Sequence, residues 1–162
     1  MRGLSQNRRV LTNPRFALNA AAERMFNHRN VMSIISDFVV RGGQAVTAGE
    51  VATFRSHLAA YKLKAETLGA AGQQALRDQA SFLLRFIEDV LDDVYVSDDF
   101  AALPEAIFAL RYLAKGVDII PDNTAGGLTD DATVLRAVFE GHAPEFEKYC
   151  RKNGIKNPLA SS

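Results

Sequence analysis

"VATFRSHLAAYKLKAETLGAAGQQALRDQASFLLRFIEDVLDDVYV", residues 51–96, decides the fold class. In its first half, Val51, Phe54, Leu58, Tyr61, Ala65 and Leu68 recur at alternating spacings of three and four. In its second half, Leu76, Ala80, Leu83, Ile87, Val90 and Val94 do the same. A helix turns every 3.6 residues, so each set falls on one face. Gly69 and Gly72 separate the two runs. An apolar stripe has to be covered, and a link this short makes the two helices neighbours, roughly antiparallel.

The same reading extends in both directions. Upstream, Leu18, Met25, Met32 and Val39 recur every seventh residue, with Ala22, Ile35 and Phe38 between them. Pro14 suits the first turn of that helix, and "RGGQAV" (41–46) is expected to end it, because glycine takes the left-handed cap conformation cheaply. Thr47 stands three residues before Glu50, the spacing of a capping box. Downstream, "VSDDF" (96–100) is expected to end the third helix. Pro104 should open a fourth, through about Lys115, with Ile107, Leu110, Leu113 and Ala114 inward and Gly116 as its stop. A fifth helix, from about Asp131 to Glu140, carries Val134, Leu135, Val138 and Phe139, and Gly141 closes it. Pro144 opens a short sixth with Phe146, Tyr149 and Cys150, after which residues 153–162 should fray. No segment has clear period-two alternation. The expected fold is all-α: an antiparallel helical bundle of about five to six helices, ending in a C-terminal helical hairpin joined by a Pro/Gly turn. One domain, 1–162, is expected, with residues 1–13 as a basic arm.

The net charge is zero, so nothing draws the whole molecule to nucleic acid or anionic lipid. Charge is nonetheless uneven. Arg2, Arg8, Arg9, Arg15, Arg24 and Arg29 face a single Glu23, while Glu88 to Glu105 holds Asp89, Asp92, Asp93, Asp98 and Asp99 with no lysine or arginine. Lys148, Arg151, Lys152 and Lys156 make the end basic again. Pairing of basic ends with an acidic middle is the favoured reading. The basic segments lack interleaved aromatics for stacking on bases, so nucleic acid is not an expected partner. Cys150 is alone, which excludes an internal disulfide and a cysteine-rich zinc site. No secretion signal and no run of about 18 apolar residues is present, so a cytoplasmic location is expected.

Few residues suggest chemistry. His28, His57 and His142 form no metal pair at helical spacing. His28 reads as a core histidine, His57 as a boundary residue, and His142 as a favourable charge at a helix end. Neither "GG" pair carries a phosphate-loop or dinucleotide fingerprint. Glu88 with Asp92 and Asp89 with Asp93 share helix faces, and read as a solvated surface opposite Ile87, Val90, Leu91 and Val94.

"VDIIPDNTAGGLTDDATVL", residues 117–135, is less ordinary. Pro121 forbids a continuing helix, Gly126 and Gly127 permit a reversal, and Thr129 or Asp130 can cap the next helix with Asp131 in its first turn. Asp118, Asp122, Asp130 and Asp131 would repel one another unless backbone amides, a cation such as Mg²⁺ or Ca²⁺, or a neighbour among Arg111, Lys115 and Arg136 joins them. With an apolar helix on each side, Asp118, Ile119, Ile120, Pro121, Asp122, Gly127, Asp130 and Asp131 resemble the hallmark of the YkvA-like family, a small bacterial domain of unknown function. The resemblance covers residues 104–140. It implies a helical hairpin as a recurring device, membrane association in its more apolar members, and no known activity. The turn here is more polar than that family's and lacks its second proline.

The expected function is therefore a non-catalytic protein-interaction or regulatory module with a protein partner. The alternatives are a divalent-metal-binding protein or metal-dependent enzyme using the four aspartates, and a peripheral membrane protein.

Overall fold

A computed structural model of the chain describes residues 14–115 and 129–161. Among them run six α-helices and a closing turn: α1 Pro14–Gln44, α2 Ala48–Ala70, α3 Gln74–Leu91, α4 Ala102–Lys115, α5 Thr129–Gly141, α6 Ala143–Asn153 and a 3₁₀ turn Pro158–Ser161. The fold is an all-helical bundle, with no strand among the described residues. The chain divides into two compact units at residues 33 and 34. Both include part of α1, and the second holds α2 to α6.

In that second unit α3 is the central helix, packed by α2, α4, α5 and the 3₁₀ turn. Its expected stripe of Leu76, Ala80, Leu83 and Ile87 is buried, and so are Phe82, Leu84 and Phe86 beside it. Each such fully buried large side chain contributes about 1.5–3 kcal/mol. Phe82 and Phe86 make edge-on ring contacts with Phe146 and Tyr149 of α6, at centroid distances of 5.1–5.6 Å. Phe139 of α5 also meets Phe82 and Phe146. On α2, Phe54, Leu58, Ala65 and Leu68 are buried, and Tyr61 stacks on Phe54.

The capping box forms as its spacing predicts. The Thr47 amide donates to Glu50 Oε2 (2.8 Å), and the Glu50 amide donates back to Thr47 Oγ1 (3.2 Å). Gly72 takes a left-handed φ of 81° just beyond α2. A second left-handed glycine, Gly154 at φ 62°, caps α6.

Four boundaries differ from expectation. Gly42 and Gly43 do not stop α1; they lie inside it. A Cβ on Gly42 would sit 2.3 Å from the Phe108 ring, and one on Gly43 would sit 2.4 Å from Glu105 Cγ. These glycines let α1 lie close against α4, which is a packing role and not a capping one. The second difference is at Val94, which does not continue the α3 stripe. The helix ends at Leu91, and Asp93 takes a left-handed φ of 58° that turns the chain. Aspartate tolerates that conformation better than most residues. Third, α4 begins at Ala102, two residues before Pro104, because Asp99 supplies acceptors for the amides of Ala101 and Ala102. Last, where the tail is expected to fray, Pro158–Ser161 forms its 3₁₀ turn against α3, with the Leu159 amide bonded to Asn157 Oδ1.

Candidate recognition loop

The connection from α3 to α4 is a short irregular stretch of turns and bends with an uncommon burial pattern. From Val94 to Phe100, outward and inward residues alternate. Val94, Val96 and Phe100 are 60%, 72% and 91% exposed, and Asp98 is exposed between them. Tyr95 is 2% exposed, and Ser97 and Asp99 are partly buried. Here Val94, Val96 and Phe100 face water together with Asp98, while Tyr95, Ser97 and Asp99 face the protein.

The inward side chains explain why. Tyr95 and Ser97 both donate hydrogen bonds to Glu145 Oε1 of α6, each at 2.8 Å. The Asp99 amide donates to Ser97 Oγ, which closes a small local turn, and the Asp99 carbonyl, 3.0 Å from Ser97 Oγ, is the other acceptor within reach of its one hydroxyl proton. His142, at the corner between α5 and α6, places Nδ1 2.6 Å from Asp99 Oδ2 and Nε2 2.8 Å from Glu105 Oε2 of α4. His142, Glu105 and Glu145 are all buried. An imidazole protonated on both nitrogens satisfies both carboxylates at once.

The electrostatics follow this geometry. Burial raises the Asp99 carboxyl, but hydrogen bonds from His142 and the Ala101 amide outweigh it and hold the group below its usual range. Burial pushes the Tyr95 phenol well above its ordinary value, and the hydrogen bond to Glu145 adds to the shift. Buried carboxylates are costly unless bonded, so this network fixes the loop's inner edge to α4 and α6. At its start, the amides of Val94 and Tyr95 both donate to the Asp89 carbonyl. Lys148 and Lys152 of α6 stand over the Tyr95 ring, at 5.7 and 5.1 Å from its centroid.

Of the residues singled out in the sequence, Asp118, Ile119, Ile120, Pro121, Asp122 and Gly127 lie outside the described residues. Asp130 and Asp131 do lie in the first turn of α5, and both are buried. Tyr112 of α4 donates a hydrogen bond to Asp130 Oδ2 (3.0 Å). Arg111 does not join them; it pairs with Glu50 Oε1 at 2.6 Å. Arg136 pairs with Glu140 on its own helix. Among the described residues, no group of three or more His, Cys, Asp or Glu side chains is placed to hold a metal ion.

His57 is exposed, with Nδ1 3.0 Å from the Thr53 carbonyl. The expected solvated face on α3 is partly so. Glu88 and Asp92 form exposed ion pairs with Lys62 and Arg55, but Asp89 accepts a hydrogen bond from Tyr149 of α6. Cys150 is buried, and burial raises its thiol, with Glu147 adding to the shift.

The loop was absent from the sequence expectations. Its inward residues, Tyr95, Ser97 and Asp99, carry polar groups, and three of its outward ones, Val94, Val96 and Phe100, are apolar, so a hydropathy reading misplaces them. The one available signal was the dense "DDVYVSDDF" itself, which reads there as a helix stop. No described helix is long and apolar enough to cross a membrane. No known protein family, curated protein or solved structure matches the chain.

Proposed function

We propose that this chain is a non-catalytic helical interaction module, and that residues 94–100 are its docking surface for another protein. One observation carries the reading: Val94, Val96 and Phe100 are held out to solvent by a loop whose inner edge is anchored through a buried hydrogen-bond network. Exposed large apolar side chains in one short segment mark interaction sites more often than scattered ones do. Prior fixing of the loop also lowers the ordering cost of binding. A phenylalanine almost fully in water, at the end of such an edge, is suited to be the residue a partner buries.

The α4–α5 hairpin, where the YkvA-like resemblance lies, has a supporting part in this reading. Glu105 of α4 and His142 just beyond α5 both belong to the network beneath the loop. The hairpin thus helps to organise the surface.

The test is site-specific photocrosslinking in the native cell. A benzoylphenylalanine is placed at position 100 and, as control, at Leu63, an isolated exposed apolar residue of α2. A covalent adduct of discrete mass is expected from position 100 and not from position 63. The same adducts from both positions, or none from position 100, would count against the loop.

A further inference from the structure

We infer that the loop's partner is a short extended segment carrying apolar side chains flanked by lysine or arginine; the inference rests on residues 94–100 being the docking surface. Every charged side chain of the loop and its entry is acidic: Asp92, Asp93, Asp98 and Asp99. Asp99 is spent inward on His142. The other three stand around the displayed Val94, Val96 and Phe100, and all are exposed. Asp93 has no ion-pair partner among the described residues.

Two of these three already meet a cation from a neighbouring helix. Arg55 of α2 reaches Asp92 and the carbonyl of Leu91, and Lys148 of α6 reaches Asp98. Both pairs are solvent-exposed. Pairs of that kind are weak and salt-sensitive, so a partner's cations can replace or share them at little cost. Lys152 is turned to the Tyr95 ring. An apolar centre with an acidic rim is complementary to an apolar segment with basic flanks, and the rim charges govern encounter rate and choice of partner.

The backbone adds a reason for an extended segment. Among the described residues, the amides of Val96, Asp98 and Phe100 have no hydrogen-bond partner within the protein. A strand laid along the loop can meet them with its carbonyls while its alternate side chains cover Val94, Val96 and Phe100.

The experiment is selection from a random peptide display library on the immobilised full chain, with Phe100→Ser as the parallel target. Peptides with two or more apolar residues flanked by lysine or arginine should be enriched on the native chain. A synthetic peptide of the selected sequence should bind Phe100→Ser about thirtyfold more weakly, as for a central interface residue. It should also lose part of its salt dependence on the double variant Asp93→Asn/Asp98→Asn. Acidic or uncharged selected peptides that still require Phe100 would overturn the partner's chemistry and leave the docking surface standing. No enrichment, or equal enrichment on Phe100→Ser, would overturn both. A dimer of the chain by light scattering that Phe100→Ser dissolves would give the surface to a second copy and overturn the inference as well. Phe100→Ser should melt like the native chain, so loss of fold does not confuse these outcomes.

Discussion

His142 shows how much one buried side chain can carry. It joins the 94–100 loop, α4 and the α5–α6 corner through two carboxylates, the part-buried Asp99 and the buried Glu105. His142→Ala leaves the buried Glu105 without its ring partner. Loss of one member of such a buried pair costs about 3–5 kcal/mol, which thermal or urea unfolding will read directly. Tyr95→Phe is milder: Glu145 keeps Ser97, and the expected loss is about 1–2 kcal/mol. Gly43 is the opposite kind of residue, needed for what it lacks. Gly43→Ala puts a methyl group within 2.4 Å of the Glu105 side chain and 3.1 Å of its Cα. Because backbone lies behind the side chain, the neighbour has little room to move. About 1–3 kcal/mol of destabilisation is expected in the same unfolding measurement.

At the scale of the helix, the start of α2 has its own pH dependence. The Thr47 amide's hydrogen bond, with help from Arg111 and the Thr47 hydroxyl, lowers the Glu50 carboxyl from 4.5 to about 2. A lowered carboxyl stabilises the folded state above the unfolded value and ceases to do so as pH falls through the folded one. The contribution of Glu50 is therefore full above about pH 4.5 and is lost towards pH 2. Acid unfolding followed by circular dichroism should show a shallower slope across that window in Glu50→Gln. An unchanged slope would mean that other carboxylates dominate there. Asp99 is shifted in the same direction, so its contribution is also lost on the acid side. The capping box was legible as a spacing of three residues because both partners lie on adjacent turns of one helix. Arg111 was not, since it comes from α4, and no local pattern ties position 111 to position 50.

For the molecule as a whole, the bundle separates a well-filled interior from an unusual exterior edge. Cys150 tests the interior. It is buried, and its thiol is raised by burial and by Glu147, so native protein should react with a thiol reagent far more slowly than unfolded protein does. Equal rates in buffer and in denaturant would show that α6 is not held as described. Phe100 tests the exterior. Its replacement by serine should leave unfolding within about 0.5 kcal/mol while weakening docking, a separation that a core phenylalanine such as Phe86 cannot give.

The sequence by itself determined the helices, because the 3.6-residue period is local and each stripe needs only its own neighbours to be recognised. It also determined that the helices must pack together, and its capping box set where α2 begins. Only the tertiary structure decided what the glycines at 42 and 43 are for, because the reason is the Phe108 ring and Glu105 on a helix about sixty residues away in the chain. The same holds for the loop. Whether Val94 continues a buried stripe or faces water depends on Asp93 turning the chain, and on Glu145 and His142 arriving from the far end to hold Tyr95, Ser97 and Asp99 inward. Hydropathy predicts the inside from the residue alone; here the partners brought by folding made the polar side chains the inside and left the apolar ones to be met from outside.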